Sequence, residues 1–234
     1  NHNCIINAMK LARPKARQVY KHNDLEALDK ALSDSVGTGD NVIVVTDGVF
    51  SMRGDFAPLA AIAEIARRYD SRFPRGVLVL VDDSHGVGAY GATGRGTEEH
   101  TKARGIDLLV GTLGKAFGVN GGYVVSHSSV IRYLREKNPL YIYTNPITPA
   151  EATAALRSLD VVESPEGAAL LAHLAAMTAR FEKGLVSLGF ETIAGPHPVT
   201  PLVVRDTEKT RSLVRHLYQH GVLATGLAYP VVPR

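Results

Sequence analysis

The residue whose surroundings point most clearly to chemical reactivity is a lysine on a glycine-flanked loop. Lys115 lies in the run Gly111-Thr112-Leu113-Gly114-Lys115-Ala116, directly after a short apolar run that predicts a strand. A P-loop is excluded, because alanine follows the lysine where that motif has serine or threonine, and Leu109 occupies a required glycine position. Partial desolvation on such a loop lowers the pKa of a lysine and makes its amine a better nucleophile. We therefore predict a nucleophilic lysine, with Thr112 and nearby backbone N–H groups available to a phosphate.

Two acidic segments follow predicted strands in the same way. The run Asp82-Asp83-Ser84-His85-Gly86 comes directly after an all-apolar strand, where an unpaired buried carboxylate is costly. From the residues alone, this run is compatible with a metal site, a hydrolytic dyad, a cofactor clamp or a pair of solvated turn acids. The run Asp47-Gly48-Val49-Phe50-Ser51 offers the Ser51 hydroxyl as donor and acceptor. Ordinary turn chemistry explains this second run better when it is taken alone.

A single cofactor, pyridoxal phosphate (PLP), accounts for all three segments together. PLP needs a lysine for its aldehyde, an acid for its pyridinium nitrogen, a hydroxyl near its phenolic oxygen and donors for its phosphate. Lys115, Asp82, Ser51 and Thr112 supply one of each. We therefore interpret the three segments as a PLP site with Lys115 as the Schiff-base residue, and we assign Asp83 to the loop without a role in the chemistry.

The elements that must position these residues alternate between strands and helices. Buried strands are predicted at Val42 to Thr46, Val77 to Val81, Leu108 to Gly111 and Gly122 to Val125, and a one-sided apolar helix at Pro58 to Tyr69. This order indicates an α/β fold with a mostly parallel sheet and flanking helices. The carboxyl ends of the strands then lie along one edge, where such sheets bind ligands.

The flanking regions complete a two-domain prediction. Asn23 is predicted to cap a helix through Leu32, and the segment from Pro146 to about Gly189 is helical with a break at Pro165. A strand at Pro201 to Arg205, a helix at Glu208 to His220 and a strand at Val222 to Ala224 then indicate the start of a smaller α+β domain. We expect a PLP-binding large domain at 1–164, whose first part precedes Asn1, and a partial small domain at 165–234.

Composition excludes several classes of protein. Of 234 residues, 45% are apolar and 21% are charged, which is ordinary for a globular protein. The net charge is only +3, and the basic residues are scattered along the chain, which disfavours nucleic-acid binding. No run reaches 18 apolar residues, so no membrane span is predicted. The single cysteine, Cys4, cannot form an internal disulfide and has no metal-ligand spacing around it, so we expect a partly buried thiol and no metal. We predict a cytoplasmic location, or a mitochondrial one in a eukaryote. Four histidines with no assigned role are expected to be surface or capping residues: His2, His22, His100 and His197.

The ordered set of motifs resembles the α-oxoamine synthases, which are fold-type I PLP enzymes that condense an amino acid with an acyl-CoA thioester. The resemblance extends over nearly the whole chain, and it rests on Val49-Phe50-Ser51-Met52, Val81-Asp82-Asp83-Ser84-His85-Gly86-Val87-Gly88, Gly94-Arg95-Gly96-Thr97 and Gly111-Thr112-Leu113-Gly114-Lys115. It implies the PLP-dependent transferase fold of the aspartate aminotransferase type. It also implies that a ring-stacking residue lies before Asn1 and a carboxylate-binding arginine after Arg234.

The resemblance implies a role for each matching residue. Lys115, Asp82 and His85 match the catalytic residues, with His85 near the phenolic oxygen of the cofactor and the substrate. Thr144 matches a hydroxyl residue that reaches the phosphate of the neighbouring subunit, which implies a homodimer with shared active sites. The full set of expected cofactor-binding residues is Lys115, Asp82, His85, Ser51, Thr112, Ser84 and Thr144. One position departs from the family pattern, since Arg53 stands where aspartate is common.

Within the family, the chain most resembles the type that acetylates glycine, glycine C-acetyltransferase or 2-amino-3-ketobutyrate CoA ligase. This preference rests on Asn1-His2, Gly111-Thr112-Leu113-Gly114-Lys115-Ala116, Gly121-Gly122-Tyr123 and Tyr229-Pro230-Val231-Val232-Pro233. The expected reaction joins glycine to acetyl-CoA and releases CoA and an α-amino-β-keto acid. The alternatives are a decarboxylating α-oxoamine synthase, of the 8-amino-7-oxononanoate synthase or serine palmitoyltransferase type, a PLP aminotransferase, and a non-catalytic PLP carrier.

Overall fold

The computed structural model of the chain describes residues 1–229 and residue 232. Pro230, Val231, Pro233 and Arg234, which belong to the closing run used above, lie outside the described residues. The elements follow in the order α1 (Asn3–Ala12), α2 (Leu25–Ser35), β1 (Val42–Asp47), β2 (Val49–Phe50), β3 (Asp55–Phe56), α3 (Leu59–Asp70), β4 (Val77–Asp82), α4 (Thr97–Thr101), β5 (Leu108–Thr112), β6 (Gly122–Ser126), α5 (Ser128–Lys137), α6 (Pro139–Ile142), α7 (Pro149–Val162), α8 (Pro165–Ser187), β7 (Glu191–Thr192), β8 (Leu202–Val203) and α9 (Thr207–Gln219).

The central sheet has the strand order β1-β4-β5-β6. The first three strands are parallel, as predicted, and their β-branched runs suit strands that are covered on both faces. The fourth strand, β6, runs antiparallel to β5. In the register of β1 and β4, Asp47 lies opposite Asp82, and Asp82 in turn pairs with Val110 on β5. The carboxyl ends of the three parallel strands therefore meet at one edge, as the sequence predicts.

The main core lies between the sheet and helices α2 and α3. Apolar residues on α3 recur at helical spacing, and Leu59, Ile62 and Ala66 are all almost fully buried. They pack with Val79 and Val81 of β4 in one cluster. Burial of each large apolar side chain contributes about 1.5–3 kcal/mol, so this face of the sheet is firmly anchored.

A second, smaller core supports the loop after β5. Leu113, Phe117 and Val119 from that loop pack against Ala155 of α7. Helix α7 starts at a capping box, in which the side chains of Thr148 and Glu151 each accept a hydrogen bond from the backbone N–H of the other. The predicted break between two helices at Pro165 is present, because α8 begins at that proline, with Ser164 as its N-cap.

Several local predictions were wrong. Asp24 caps α2, because its side chain accepts from the Ala27 N–H, whereas Asn23 has a φ of 53° and donates its side-chain amide to the Phe56 carbonyl. His197 is fully buried rather than on the surface, and Cys4 is exposed rather than partly buried. No strand forms at 222–224.

The C-terminal part contains a short antiparallel pair, β7 with β8, followed by α9. The predicted strand at 201–205 is reduced to the two residues of β8, and the predicted helix at 208–220 is present as α9. The division into domains at 1–164 and 165–234 stays a prediction. Among the residues that the structure describes, no helix combines the length and the apolar character needed to cross a membrane.

Candidate active site

Four of the residues that the sequence singled out converge at the carboxyl edge of the sheet. Asp82 ends β4, Thr112 ends β5, and Lys115 and His85 lie on the loops that follow these strands. Parallel strands place these loops side by side, which is the position where open α/β sheets bind ligands. Electrostatic coupling between Lys115, His85 and Asp82 shows that the three side chains share one environment.

The loop that carries Lys115 is held from several directions. The Gly118 N–H donates to the Lys115 carbonyl at 3.1 Å, and the Val119 N–H donates to the Leu113 carbonyl at 2.8 Å. The Ser158 hydroxyl of α7 donates to the Phe117 carbonyl at 2.9 Å. The lysine side chain itself remains exposed, which leaves its amine accessible on a well-anchored backbone.

The Lys115 amine has a lowered pKa. Desolvation by the surrounding protein lowers the pKa from 10.5, and the nearby carboxylates of Asp82 and Asp47 oppose this effect. A lowered pKa increases the fraction of neutral amine, which is the nucleophilic form. This agrees in direction with the expectation from the glycine-flanked loop.

Asp82 is oriented by its own turn. Its Oδ1 accepts from the Ser84 N–H at 3.1 Å, which fixes the carboxylate at the end of β4. Its Oδ2 lies 3.8 Å from the Cys4 thiol of α1. Burial and the Asp82 charge raise the pKa of Cys4, so the thiol stays protonated and can donate weakly to the carboxylate.

His85 is half-buried and neutral at physiological pH. Burial, together with the positive charge of Lys115, lowers the pKa of its imidazole from 6.5 to about 4, although Asp82 acts in the opposite direction. A neutral imidazole can donate a hydrogen bond from one nitrogen and accept at the other. His85 is therefore suited to orient a polar group without adding a charge.

Two residues of the site were not predicted. Asp47 ends β1 beside Asp82, and burial raises the pKa of its carboxyl, while a hydrogen bond of 2.8 Å from the His2 backbone N–H opposes this rise. His2 also caps α1 through its ring nitrogen, so its predicted capping role is confirmed, yet it lies beside His85 as well. Asp47 could have been found from sequence, since it occupies the strand-end position equivalent to Asp82. In the sequence, His2 stands out only in the Asn1-His2 motif and as a capping candidate, and neither feature indicates a position beside His85.

The structure ties the remaining predicted residues less closely to this cluster. The Thr112 hydroxyl accepts from the Gly114 N–H at 3.1 Å and lies 3.2 Å from the Gly121 carbonyl, so it braces the lysine loop. Ser51 is half-buried in the turn between β2 and β3, and no hydrogen bond in the described part of the chain joins it to the cluster. Thr144 is exposed on the segment after α6, where its hydroxyl donates to the Leu140 carbonyl.

Asp83 lies in the loop directly after β4, as predicted, but its full burial was not anticipated. The residue is fully buried, and its carboxylate accepts from both the backbone N–H and the hydroxyl of Thr97 at 2.6 Å each. Burial raises the pKa of Asp83 from 3.8 to about 6 despite these two hydrogen bonds.

Arg53, which departs from the family pattern, donates to Asp55 at 3.0 Å. Among the described residues, no group of three or more histidine, cysteine or acidic side chains is arranged to hold a metal ion.

The donor set at the sheet edge fits PLP. An accessible amine with a lowered pKa lies close to a carboxylate that ends the neighbouring strand, and a neutral imidazole on the loop after β4 interacts electrostatically with both. An aldehyde requires such an amine, and a pyridinium nitrogen requires such an acid. Lys115 and Asp82 are therefore the residues that would bind the two ends of the reactive part of the cofactor.

Comparison with known proteins shows which proteins this chain is similar to. The aminotransferase class I and II family matches residues 1–234. Over the whole chain, the sequence is 39% identical to 8-amino-7-oxononanoate synthase from Geobacter sulfurreducens and 35% identical to 2-amino-3-ketobutyrate coenzyme A ligase from Escherichia coli, covering 58% and 57% of these proteins. The chain thus spans a little more than half the length of the curated relatives that it matches.

Solved structures show the same fold. Serine palmitoyltransferase from Sphingomonas wittichii superposes with a TM-score of 0.86 at 28% identity, covering all of this chain and 57% of that one. A further serine palmitoyltransferase structure, which carries PLP, superposes with a TM-score of 0.79 at 29% identity, covering 92% and 52%. The predicted fold, a mostly parallel sheet with flanking helices of the PLP-dependent transferase type, is thereby confirmed.

Proposed function

Because the chain belongs to the aminotransferase class I and II family, and within it to the PLP-dependent α-oxoamine synthases, we propose that it forms the catalytic core of an acyltransferase. The reaction joins a small amino acid to the acyl group of an acyl-CoA and releases free CoA. The observation that carries the proposal is the position of the Lys115 amine, which shares the sheet edge with Asp82 and His85. We place the protein in the cytoplasm, since its single cysteine suits a reducing compartment.

Lys115 has two tasks in this proposal. When bound, PLP supplies an aldehyde that bonds to amines and a ring that withdraws electrons from the carbon beside the bonded amine. Lys115 would hold the cofactor through its amine. When it is not bonded to the cofactor, the same amine would remove the proton from the α-carbon of the amino acid, since it is tethered within reach and its pKa is lowered.

Asp82 and His85 act on either side of this proton transfer. Asp82 holds a proton at the ring nitrogen through a charge-assisted hydrogen bond, which sustains the electron withdrawal. His85, neutral at physiological pH, donates a hydrogen bond to the carbonyl oxygen of the incoming thioester. The deprotonated α-carbon then bonds to the acyl carbon, the carbon–sulfur bond breaks, and the departing CoA thiolate takes up the proton.

The remaining predicted residues are assigned to the periphery of the cofactor. Ser51 donates to the phenolic oxygen, and Ser84 lies in the turn that orients Asp82. Thr112 is assigned to the phosphate, although it also braces the lysine loop. Thr144 is assigned to the phosphate in the neighbouring subunit of a homodimer, which suits its exposed position.

We further propose glycine and acetyl-CoA as the substrates, on the motifs that resemble the glycine-acetylating type. A 2-amino-3-ketobutyrate product keeps the carboxylate beside the amine, so no carbon dioxide is released. The alternative is a decarboxylating enzyme, and the 39% identity to an 8-amino-7-oxononanoate synthase favours it. That product carries its amine on a carbon without a carboxylate.

Chemical trapping tests the central assignment. We expect sodium borohydride to fix the cofactor covalently on the full-length protein, so that a tryptic digest contains a labelled peptide spanning residues 105–132 with no cleavage after Lys115. A Lys115→Arg variant serves as the matched control and should carry no label. Label on any other lysine, with Lys115 unmodified, would refute the proposal.

Substrate turnover separates the reaction types. Glycine with acetyl-CoA is expected to release free thiol without carbon dioxide. Release of both from another amino acid and acyl-CoA indicates the decarboxylating alternative. Amino-group transfer to a keto acid without thiol release indicates an aminotransferase. Cofactor trapped on Lys115 with no turnover of any pair indicates a PLP carrier.

A further inference from the structure

We propose that Asp83 is a positioning residue that sets the spacing between the loops of the active site. The residue follows Asp82 directly, yet it is fully buried and makes its contacts away from Lys115. The inference rests on the proposed function, because it concerns how the chain presents Asp82 and His85 to the cofactor. It adds a residue that no assignment above uses.

The Asp83 carboxylate is the meeting point of two loops. Its Oδ2 accepts from the Thr97 N–H and its Oδ1 from the Thr97 hydroxyl, both at 2.6 Å. Thr97 is itself fully buried and begins α4. This bidentate arrangement fixes the orientation of the carboxylate and attaches the 94–97 loop to the end of β4.

Three glycines leave room for this one carboxylate. A Cβ atom on Gly48 would lie 2.7 Å from Asp83 Cγ, one on Gly86 would lie 2.6 Å from it, and one on Gly96 3.1 Å. All are closer than such contacts normally come, and each glycine belongs to a different segment. The Asp83 carboxylate is therefore a shared reason for glycine in the turn after β1, the turn after β4 and the loop before α4, and at Gly96 a φ of 84° is a second reason.

The backbone of the same residue links the segments further. The Asp83 N–H donates to the Val110 carbonyl of β5 at 2.9 Å, and the Asp83 carbonyl accepts from Gly86 and Val87 at 2.9 and 3.0 Å. The Gly48 N–H donates to the Asp82 carbonyl at 2.8 Å. A shift of Asp83 would thus move the turns that carry Ser51, Asp82 and His85 relative to one another.

The test compares Asp83→Ala with Asp107→Asn in the full-length protein. Asp107 is the matched control, because its carboxylate also accepts a hydrogen bond from a backbone N–H, that of Val79. Asp107 directly precedes the start of β5, whereas the active-site turns follow the carboxyl ends of the strands. We expect Asp83→Ala to raise the dissociation constant of PLP about tenfold. We also expect it to lower kcat on the order of 10²-fold, since a displacement of about 1 Å has that effect. Asp107→Asn should lower thermal stability without changing either constant or the absorbance spectrum of bound PLP.

Conservative variants and a double-mutant cycle sharpen the result. Asp83→Asn keeps the shape and one acceptor, so it should recover part of the cofactor affinity that Asp83→Ala loses. Gly86→Ala should impair cofactor binding by displacing the carboxylate, and it should do so less in the Asp83→Ala background. Equal effects of Gly86→Ala in both backgrounds would overturn the proposal, as would an Asp83→Ala protein that loses only stability.

Hydrogen exchange on the cofactor-free protein distinguishes this failure from failure of the proposed function. Asp83→Ala should increase amide exchange in 47–51, 84–88 and 96–98 together, and Asp107→Asn should not. If that pattern appears but the parent protein does not bind PLP through Lys115, the proposed function is wrong and the junction role of Asp83 stands. If the parent binds PLP and the three segments do not respond, the junction role is wrong.

Discussion

Among the individual residues around Lys115, Asp82 should matter more than Ser51. Loss of the carboxylate leaves a buried cation unpaired, which costs roughly 3–5 kcal/mol and slows the reaction on the order of 10² to 10⁴-fold if it falls on the transition state. Loss of one hydroxyl removes about 1 kcal/mol of hydrogen bonding, or roughly fivefold in rate. Steady-state rates of Asp82→Ala and Ser51→Ala, each in the full-length protein, measure this difference.

A matched control for the hydroxyl is Ser126→Ala. Ser126 lies on β6, the antiparallel strand, and its hydroxyl donates to the Asp107 carbonyl, outside the cluster around Lys115. Its removal should leave kcat unchanged. A Ser51→Ala enzyme slower than Asp82→Ala would contradict the assignment of the ring-nitrogen acid.

Asp83 should make the stability of the protein depend on pH. Burial of the carboxyl raises its pKa to about 6, and the charges of Asp82 and Glu98 add to this effect, while hydrogen bonds from Thr97 oppose it. A raised carboxyl pKa means that the folded state holds a proton that the unfolded chain has lost. The stabilisation is fully present below about pH 4 and is lost as pH rises through about 6. At 1.36 kcal/mol per pKa unit, the loss is about 3 kcal/mol at most.

The Asp83→Asn variant has no titratable group at this position. Comparing it with the parent therefore isolates the contribution of Asp83 to the pH dependence of stability. The unfolding free energy of the parent minus that of the variant should fall between pH 4 and pH 7 and then stay constant, as measured by urea denaturation of the cofactor-free proteins. Tyr90 and Tyr123 also respond to the Asp83 charge, but burial raises the pKa of both, and they remain neutral in this window. A difference that does not change with pH would show that Asp83 is ionised throughout.

The sequence locates only part of this residue cluster. Lys115, Asp82 and His85 are predictable because each follows a strand of a parallel sheet, where side chains from distant positions must meet. Cys4 lies in the site because α1 packs at the sheet edge, and no local pattern predicts that contact. The burial of Asp83 was not predicted because its partner, Thr97, lies 14 residues further along the chain.

At the level of elements, the strong local patterns and the parallel pairing of β1, β4 and β5 were predicted correctly, whereas the direction of β6 and the absence of a strand at 222–224 were not. The β-branched runs of β1 and β4 predict buried strands, and the apolar stripe of α3 predicts its helix. The direction of β6 depends on which neighbour it pairs with, and the run itself contains no sign of that choice. Helix α1 buries only Ile5, so its apolar pattern is weak. The run at 222–224 has the composition of a strand but finds no partner in the described part of the chain.

The contact between α7 and the lysine loop gives an element-scale prediction. Ser158→Ala removes the hydrogen bond to the Phe117 carbonyl and should lower the unfolding free energy by about 1 kcal/mol. It should also increase amide exchange at 114–118, because that bond anchors the loop from outside. Thr148→Ala removes the N-cap of the same helix at a similar cost of about 1 kcal/mol, without touching the loop. Equal exchange at 114–118 in both variants would show that α7 does not restrain Lys115.

At the scale of the whole molecule, one region presents many exposed apolar side chains. Tyr133 on α5 is 65% exposed, and on or just after α6 Leu140 is 76% exposed and Tyr143 is 87% exposed. The segment 141–143 is therefore not part of the core of this chain. Patches of this kind mark surfaces that other protein covers. In the proposed homodimer, a second subunit would cover these side chains.

The position of Thr144 at the end of this patch makes the proposed shared active site testable. If Thr144 serves the neighbouring subunit, a Thr144→Ala homodimer is impaired roughly 10- to 100-fold through loss of a charge-assisted hydrogen bond, and a Lys115→Ala homodimer is inactive. A mixed dimer of the two variants then contains one intact site, with Lys115 from one chain and Thr144 from the other.

Mixing the two full-length variants, with subunit exchange, should therefore raise activity well above that of the Thr144→Ala homodimer alone. If Thr144 serves its own subunit, every site in the mixed dimer carries a defect, and activity per chain can only fall on mixing. The extent of exchange is measured separately, by giving the two variants different affinity tags and quantifying the mixed dimers that carry both tags. The sign of the change on mixing thus decides whether the exposed segment after α6 completes a partner's site, independently of how large the effect of the threonine is.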